Sequence, residues 1–142
     1  MKVSARNQLS GTVSAIVEGA VNDEVVLALD SGESLVTVVT KSSVKTLGLV
    51  VGKKAIAIIK APWVVLASPD CGLNFSARNQ FIGKIDAGNL GAVNATGRLT
   101  SDKGLALTAM VTNDSVNELS LKPGDAILAL VQASSVILAT QK

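Results

Sequence analysis

One pentapeptide is written twice in this chain. Ser4-Ala5-Arg6-Asn7-Gln8 returns letter for letter as Ser76-Ala77-Arg78-Asn79-Gln80, 72 residues on. The same offset runs ungapped through both halves. It brings Thr40 onto Thr112, Ser43 onto Ser115, Leu47 onto Leu119, Gly52 onto Gly124 and Ala67 onto Ala139. The chain is one small unit used in tandem. The first copy covers residues 1–67, the turn-rich stretch 68–73 links them, and the second copy covers 74–142. Much of the apolar sequence differs between copies while the polar pentapeptide does not. Packing seldom dictates an arginine, so the repeat points to a site.

Each copy is short. A domain of roughly 70 residues buries only about 60% of the surface its unfolded chain exposes. Such units usually need a staple. Cys71 is the only cysteine and histidine is absent, so an internal disulfide and a structural zinc site are both excluded. Oligomerisation remains. An apolar content of 48% leads us to expect burial between copies and between chains.

Within a copy the signals are mostly β. Val13–Glu18 mixes alternation with β-branched residues. Val25–Leu29 and Leu35–Val39 read as arms of a hairpin closed by Asp30-Ser31-Gly32-Glu33. Thr40–Val44 precedes Leu47 and Leu49 and reads as a capped helical turn ending at Gly52. Ala55–Ile59 and Val64–Leu66 are the last strands. The expected fold class is all-β: two tandem five-stranded Greek-key barrels of the OB type, each with one short helix. A sandwich is the alternative.

Several function classes fall away. Without histidine the usual general base and metal ligand are missing. No Gly-rich phosphate loop is present. The pair Asp23-Glu24 becomes Ala95-Thr96 in the second copy, so a catalytic carboxylate pair would exist only once. We expect a binding protein and not an enzyme. A net charge of +2, with Trp63, Phe75 and Phe81 as the only aromatics, argues against a base-stacking nucleic-acid module. The opening Met1–Ala5 is polar, and the apolar stretch Ala55–Ala67 is interrupted by Lys60 and Pro62. A cytoplasmic protein without a membrane partner is therefore expected.

The pentapeptide offers a hydroxyl, an amide and a guanidinium with five N–H donors in a rigid fork, and no acid. That inventory suits an oxyanion with several acceptor oxygens. Charge-assisted hydrogen bonds are worth about 1.5–3 kcal/mol each, and micromolar binding needs about 8 kcal/mol. Four or five bonds reach it. A surface turn explains the same residues, but two of only three arginines, Arg6, Arg78 and Arg98, fall in the motif. Gly19-Ala20-Val21-Asn22, matched by Gly91-Ala92-Val93-Asn94, reads as a tight turn or as backbone N–H groups presented to an anion. Thr40/Ser43 and Thr112/Ser115 read as helix caps that can also donate to an anion. Lys60-Ala61 becomes Gln132-Ala133 in the second copy.

Together these segments resemble the Mop, or molbindin, family of small cytoplasmic molybdate-binding proteins. The Ser-Ala-Arg-Asn opening, Gly19–Asn22, Val39–Val44 and Ile59–Ala61 carry the likeness. It spans essentially the whole chain. The resemblance implies OB-like barrels, six of which assemble, so that a two-copy chain forms a trimer. It implies molybdate, with tungstate as a close mimic, held between domains for storage and homeostasis without any cofactor. One class of site would use Ser4, Ala5, Arg6, Asn7, Lys60 and Ala61, with Thr40 and Ser43 from a partnering domain. The second copy would contribute Ser76, Ala77, Arg78, Asn79, Ala133, Thr112 and Ser115. A second class near the threefold axis would use Gly19, Ala20, Val21 and Asn22 with Gly91, Ala92, Val93 and Asn94. Gln132 and Asp114 depart from the pattern and imply unequal copies. A molybdate-responsive regulatory or interaction module is the competing expectation.

Overall fold

The computed structural model describes residues 3–90 and 94–142. In the first copy β1 (Asn7–Val17), β2 (Asn22–Leu29) and β3 (Ser34–Thr40) lead into α1 (Lys41–Leu47). Then come β4 (Lys54–Ile59), a 3₁₀ turn (Ala61–Trp63) and β5 (Val65–Ala67). The second copy repeats the order with β6 (Asn79–Leu90), β7 (Asn94–Ser101), β8 (Ala106–Thr112) and α2 (Asn113–Leu119). It ends with β9 (Ala126–Val131), a second 3₁₀ turn (Ala133–Ser135) and β10 (Ile137–Ala139). The all-β expectation of two five-stranded units holds.

Alternation builds the sheets. On β2, Asp23, Val25, Leu27 and Leu29 point inward, and their neighbours face outward. The hairpin from β2 to β3 turns at Gly32, whose φ of 100° is open to glycine, and Gly104 repeats the device at 94°. Leu27, Leu35 and Ile59 are fully buried, as are their second-copy counterparts Leu99, Leu107 and Val131.

The two sheets do not follow the two sequence copies. One runs β10-β4-β1-β2-β3 and the other β5-β9-β6-β7-β8, with neighbours antiparallel. Each copy thus lends its last strand to the other. Val64–Leu66 was expected to complete the first barrel. Instead β5 pairs Leu66 with Ala129 of β9 and also packs beside β8. Both crossings run through a 3₁₀ turn, Ala61–Trp63 in the first copy and Ala133–Ser135 in the second; Pro62 suits the first, whereas the second has Ser134 there and crosses all the same. The exchange makes one continuous apolar core from both copies.

Thr40 caps α1, accepting from the Ser43 N–H. The helix stops at Gly48 in the left-handed region, φ 66°, and not at Gly52 as the sequence reading had it. Gly52 belongs to the following turn, where its N–H bonds the Val13 carbonyl. α2 is capped likewise by Thr112, but its left-handed C-cap is Ser120, φ 51°.

Candidate functional site

The pentapeptide straddles the start of a strand. Asn7 pairs with Ile59, which puts Ser4, Ala5 and Arg6 beside Lys60 and Ala61 at the end of β4. In the second copy Asn79 pairs with Val131 and brings Ser76, Ala77 and Arg78 to Gln132 and Ala133. Ser4, Arg6, Ser76 and Arg78 are exposed, while Ala61 and Ala133 are buried. Ser76, Ala77 and Gln132 line a pocket of about 140 Å³ together with Trp63, Val65 and Phe75. The Lys60 ammonium stands 5.7 Å from the centroid of the Trp63 ring, within cation–π range.

The two asparagines do something else. The Asn7 amide donates to the Thr108 carbonyl at 2.8 Å and accepts from the Thr108 N–H at 2.7 Å. Asn79 makes the same pair with Val36, at 2.8 and 2.7 Å, and also reaches the Val131 carbonyl. Each clamps its strand to an edge strand of the other copy. The sequence reading counts these side chains among the anion donors; in this structure both amides are buried and engaged with backbone. Gln8 and Gln80 brace the preceding residues by donating to the carbonyls of Ala5 and Ala77. Two of the five residues of the repeat, the asparagine and the glutamine, thus serve the fold. Sequence reasoning missed this because the partners are main-chain groups.

The arginines are not equivalent. Arg78 Nη1 lies 2.6 Å from Glu24 Oε2 and Nη2 lies 3.3 Å from Glu24 Oε1. The guanidinium therefore grips a carboxylate of β2, in the other copy, with both arms. No ion pair involves Arg6 among the described residues. The residue equivalent to Glu24 is Thr96.

The hydroxyl pairs are helix caps whose oxygens remain at the surface. Thr40 Oγ1 accepts from the Ser43 N–H and contacts Ser43 Oγ at 2.8 Å, and Thr112 and Ser115 repeat the pair at 2.9 Å. Strand register places Asn22 opposite Thr40 and Asn94 opposite Thr112. Asn94, Thr112 and Ser115 share a pocket of about 510 Å³ with Pro62 and Val64 of the first copy. Correspondingly, β8 packs on the 3₁₀ turn after Lys60 and β3 on the turn after Gln132. The exchange thus brings each motif cluster toward the helix-cap strand of the other copy.

Gly19, Ala20, Val21 and Asn22 form the turn between β1 and β2. The Gly19 N–H donates to Asp23 Oδ1 at 3.1 Å, and the Lys41 ammonium holds the same oxygen at 2.8 Å. The Lys41 bond, helped by the Gly19 N–H, holds the Asp23 carboxyl below the usual carboxylate range against the opposing effect of burial. Lys41 is raised by the same bond. The tight-turn reading is met here, and Val21 stands exposed at its tip. Gly91, Ala92 and Val93 lie outside the described residues. Among the described residues no group of acidic or thiol side chains is arranged to hold a metal cation.

Two profile matches decide the family. The TOBE-domain profile covers residues 3–66 and again 76–138. The chain belongs to the TOBE-domain family. Its Mop-type character also holds. It is 39% identical over 142 residues to the molybdenum transport protein ModE of Herbaspirillum seropedicae, covering 100% of this chain and 53% of that protein. It is 41% identical over 139 residues to the molybdenum-pterin-binding protein MopA of Rhodobacter capsulatus, covering 98% and 52%. The chain spans about half the length of the curated relatives it matches. It is also similar to a solved structure of the cytoplasmic molybdate-binding protein ModG with molybdate bound. That likeness has a TM-score of 0.94 and 47% identity, over 99% of this chain and 100% of ModG.

Proposed function

We propose that this chain binds molybdate non-covalently between its domains and serves as an intracellular molybdenum store. The observation that supports this most is the end-to-end likeness to ModG, with Ser4, Arg6, Lys60, Ala61, Thr40 and Ser43 and most of their second-copy equivalents in place. Oxygen atoms of the tetrahedral dianion accept from hydroxyls, backbone N–H groups and guanidinium forks, with no covalent step and no cofactor. Tungstate has the same charge and nearly the same shape, so it enters too. Release follows mass action as free anion falls.

The binding unit in this reading is a trimer of two-copy chains in the cytoplasm. Exposed Val17, Val21, Val50 and Val51 supply apolar surface for such contacts. The Gly19–Asn22 and Gly91–Asn94 segments form the second class of site where chains meet. A regulatory reading has one point in its favour: several relatives are named transcriptional regulators, among them ModE of Escherichia coli, 36% identical over 142 residues. This chain matches 53% of that protein's length.

Calorimetric titration with molybdate, tungstate, sulfate and phosphate, alongside mass by light scattering, tests the proposal. It predicts several molybdate or tungstate ions per trimer and weak sulfate binding. Absence of molybdate heat, or equal binding of sulfate, would overturn it.

A further inference from the structure

The copies carry the same pentapeptide but set its arginine in opposite circumstances. Arg78 has both arms on the Glu24 carboxylate, at 2.6 and 3.3 Å. A carboxylate presents paired oxygens to the fork much as one edge of a tetrahedral oxyanion does. Glu24 therefore occupies the donor atoms an incoming anion needs. Around Arg6 the equivalent position is Thr96, which carries no charge. The neighbouring cation differs in the same sense: Lys60 beside the first motif, Gln132 beside the second. The first cluster thus holds two positive side chains, whereas the second is neutral with Glu24 in place.

We propose that Glu24 is a built-in competitor for the anion, so that the Arg6 cluster fills first and the Arg78 cluster fills only when Glu24 is displaced. This rests on the oxyanion reading given above. The latch can open, because side-chain exposures of 54% for Arg78 and 30% for Glu24 leave the pair in contact with water. Exposed pairs of this kind are weak. A weak latch sets an order of filling without abolishing the second site. It also ties occupancy to a contact between copies, since Glu24 lies on β2 and Arg78 precedes β6.

Glu24→Gln removes the charge and keeps the shape, and Glu24→Thr installs the residue of the second copy. Calorimetry with molybdate should resolve two affinity classes among the motif-cluster sites of the native chain. Either variant should tighten the weaker class by about 2- to 5-fold and leave the tighter class and the total stoichiometry unchanged. The gain should vanish when Arg78→Ala is added, which a merely structural role for Glu24 would not produce. The mirror variant, Thr96→Glu, should weaken the tighter class. A single affinity class in the native chain, or an unmoved weaker class in both Glu24 variants, overturns the proposal while leaving molybdate binding intact. A native chain that takes up no molybdate overturns the oxyanion reading and this proposal with it.

Discussion

The Asn7 side chain and the Thr108 main chain form a two-bond clamp across 101 residues of sequence, with amide donor and amide acceptor both satisfied at 2.8 and 2.7 Å. Asn79 and Val36 are its twin. The clamps hold the motif-bearing strands against the other copy's edge strands. They are why a repeat that looks like a ligand signature is in part an assembly device.

Truncating a clamp leaves a backbone N–H and C=O unpaired in a partly buried place, each costing about 1–3 kcal/mol. Asn7→Ala and Asn79→Ala should therefore each lose about 2–4 kcal/mol in urea unfolding. Arg6→Ala, at an exposed position without an ion pair among the described residues, should stay within about 0.5 kcal/mol of the native chain. The contrast separates the structural part of the motif from the part proposed to face the ligand.

The second helix ends on a strained residue. Ser120 holds φ 51° where the first copy has Gly48 at 66°. Left-handed backbone disfavours a residue with a Cβ, and glycine's greater freedom when unfolded offsets part of the gain. Ser120→Gly should raise stability by about 0.5–1 kcal/mol and Gly48→Ser lower it by a similar amount. Thermal melts of the pair of variants check both signs.

The Asp23–Lys41 pair gives a pH signature. Because folding lowers the Asp23 carboxyl, its stabilising contribution is present above the unfolded value of about 3.9 and is lost as acid takes the pH down through the folded value. Lys41 is raised, so its share persists below about 10.4 and is lost as pH climbs through its folded value. Asp23→Asn should lower the melting temperature at pH 7. The gap between native and variant should close as the pH falls below about 4. A gap of constant size across that range would rule the pair out as its source.

Much of the local structure was legible because its causes are local. The Asp30–Glu33 hairpin turn and the Thr40/Ser43 cap each depend on a few adjacent residues, and both stand where the sequence places them. The helix end was misplaced because Gly48 and Gly52 are both plausible stops, and only the backbone shows which takes the left-handed cap. The strand exchange was hidden. Val65-Leu66-Ala67 reads as the same strand whichever sheet receives it, and the choice is made by the 3₁₀ turn and the shared core. The Glu24 contact was hidden for a different reason: it joins residues 54 apart and has no counterpart in the other copy. The asparagine clamps meet backbone, which leaves no partner side chain to notice.

The central claim is that two guanidinium-bearing clusters capture molybdate, and the doubly substituted chain Arg6→Ala/Arg78→Ala tests it most directly. Its molybdate stoichiometry should be read by calorimetry beside the native chain, with circular dichroism to show an unchanged fold. The account predicts that the sites formed by the two clusters disappear and only any turn-based sites remain. Full native stoichiometry and affinity in that variant would contradict it.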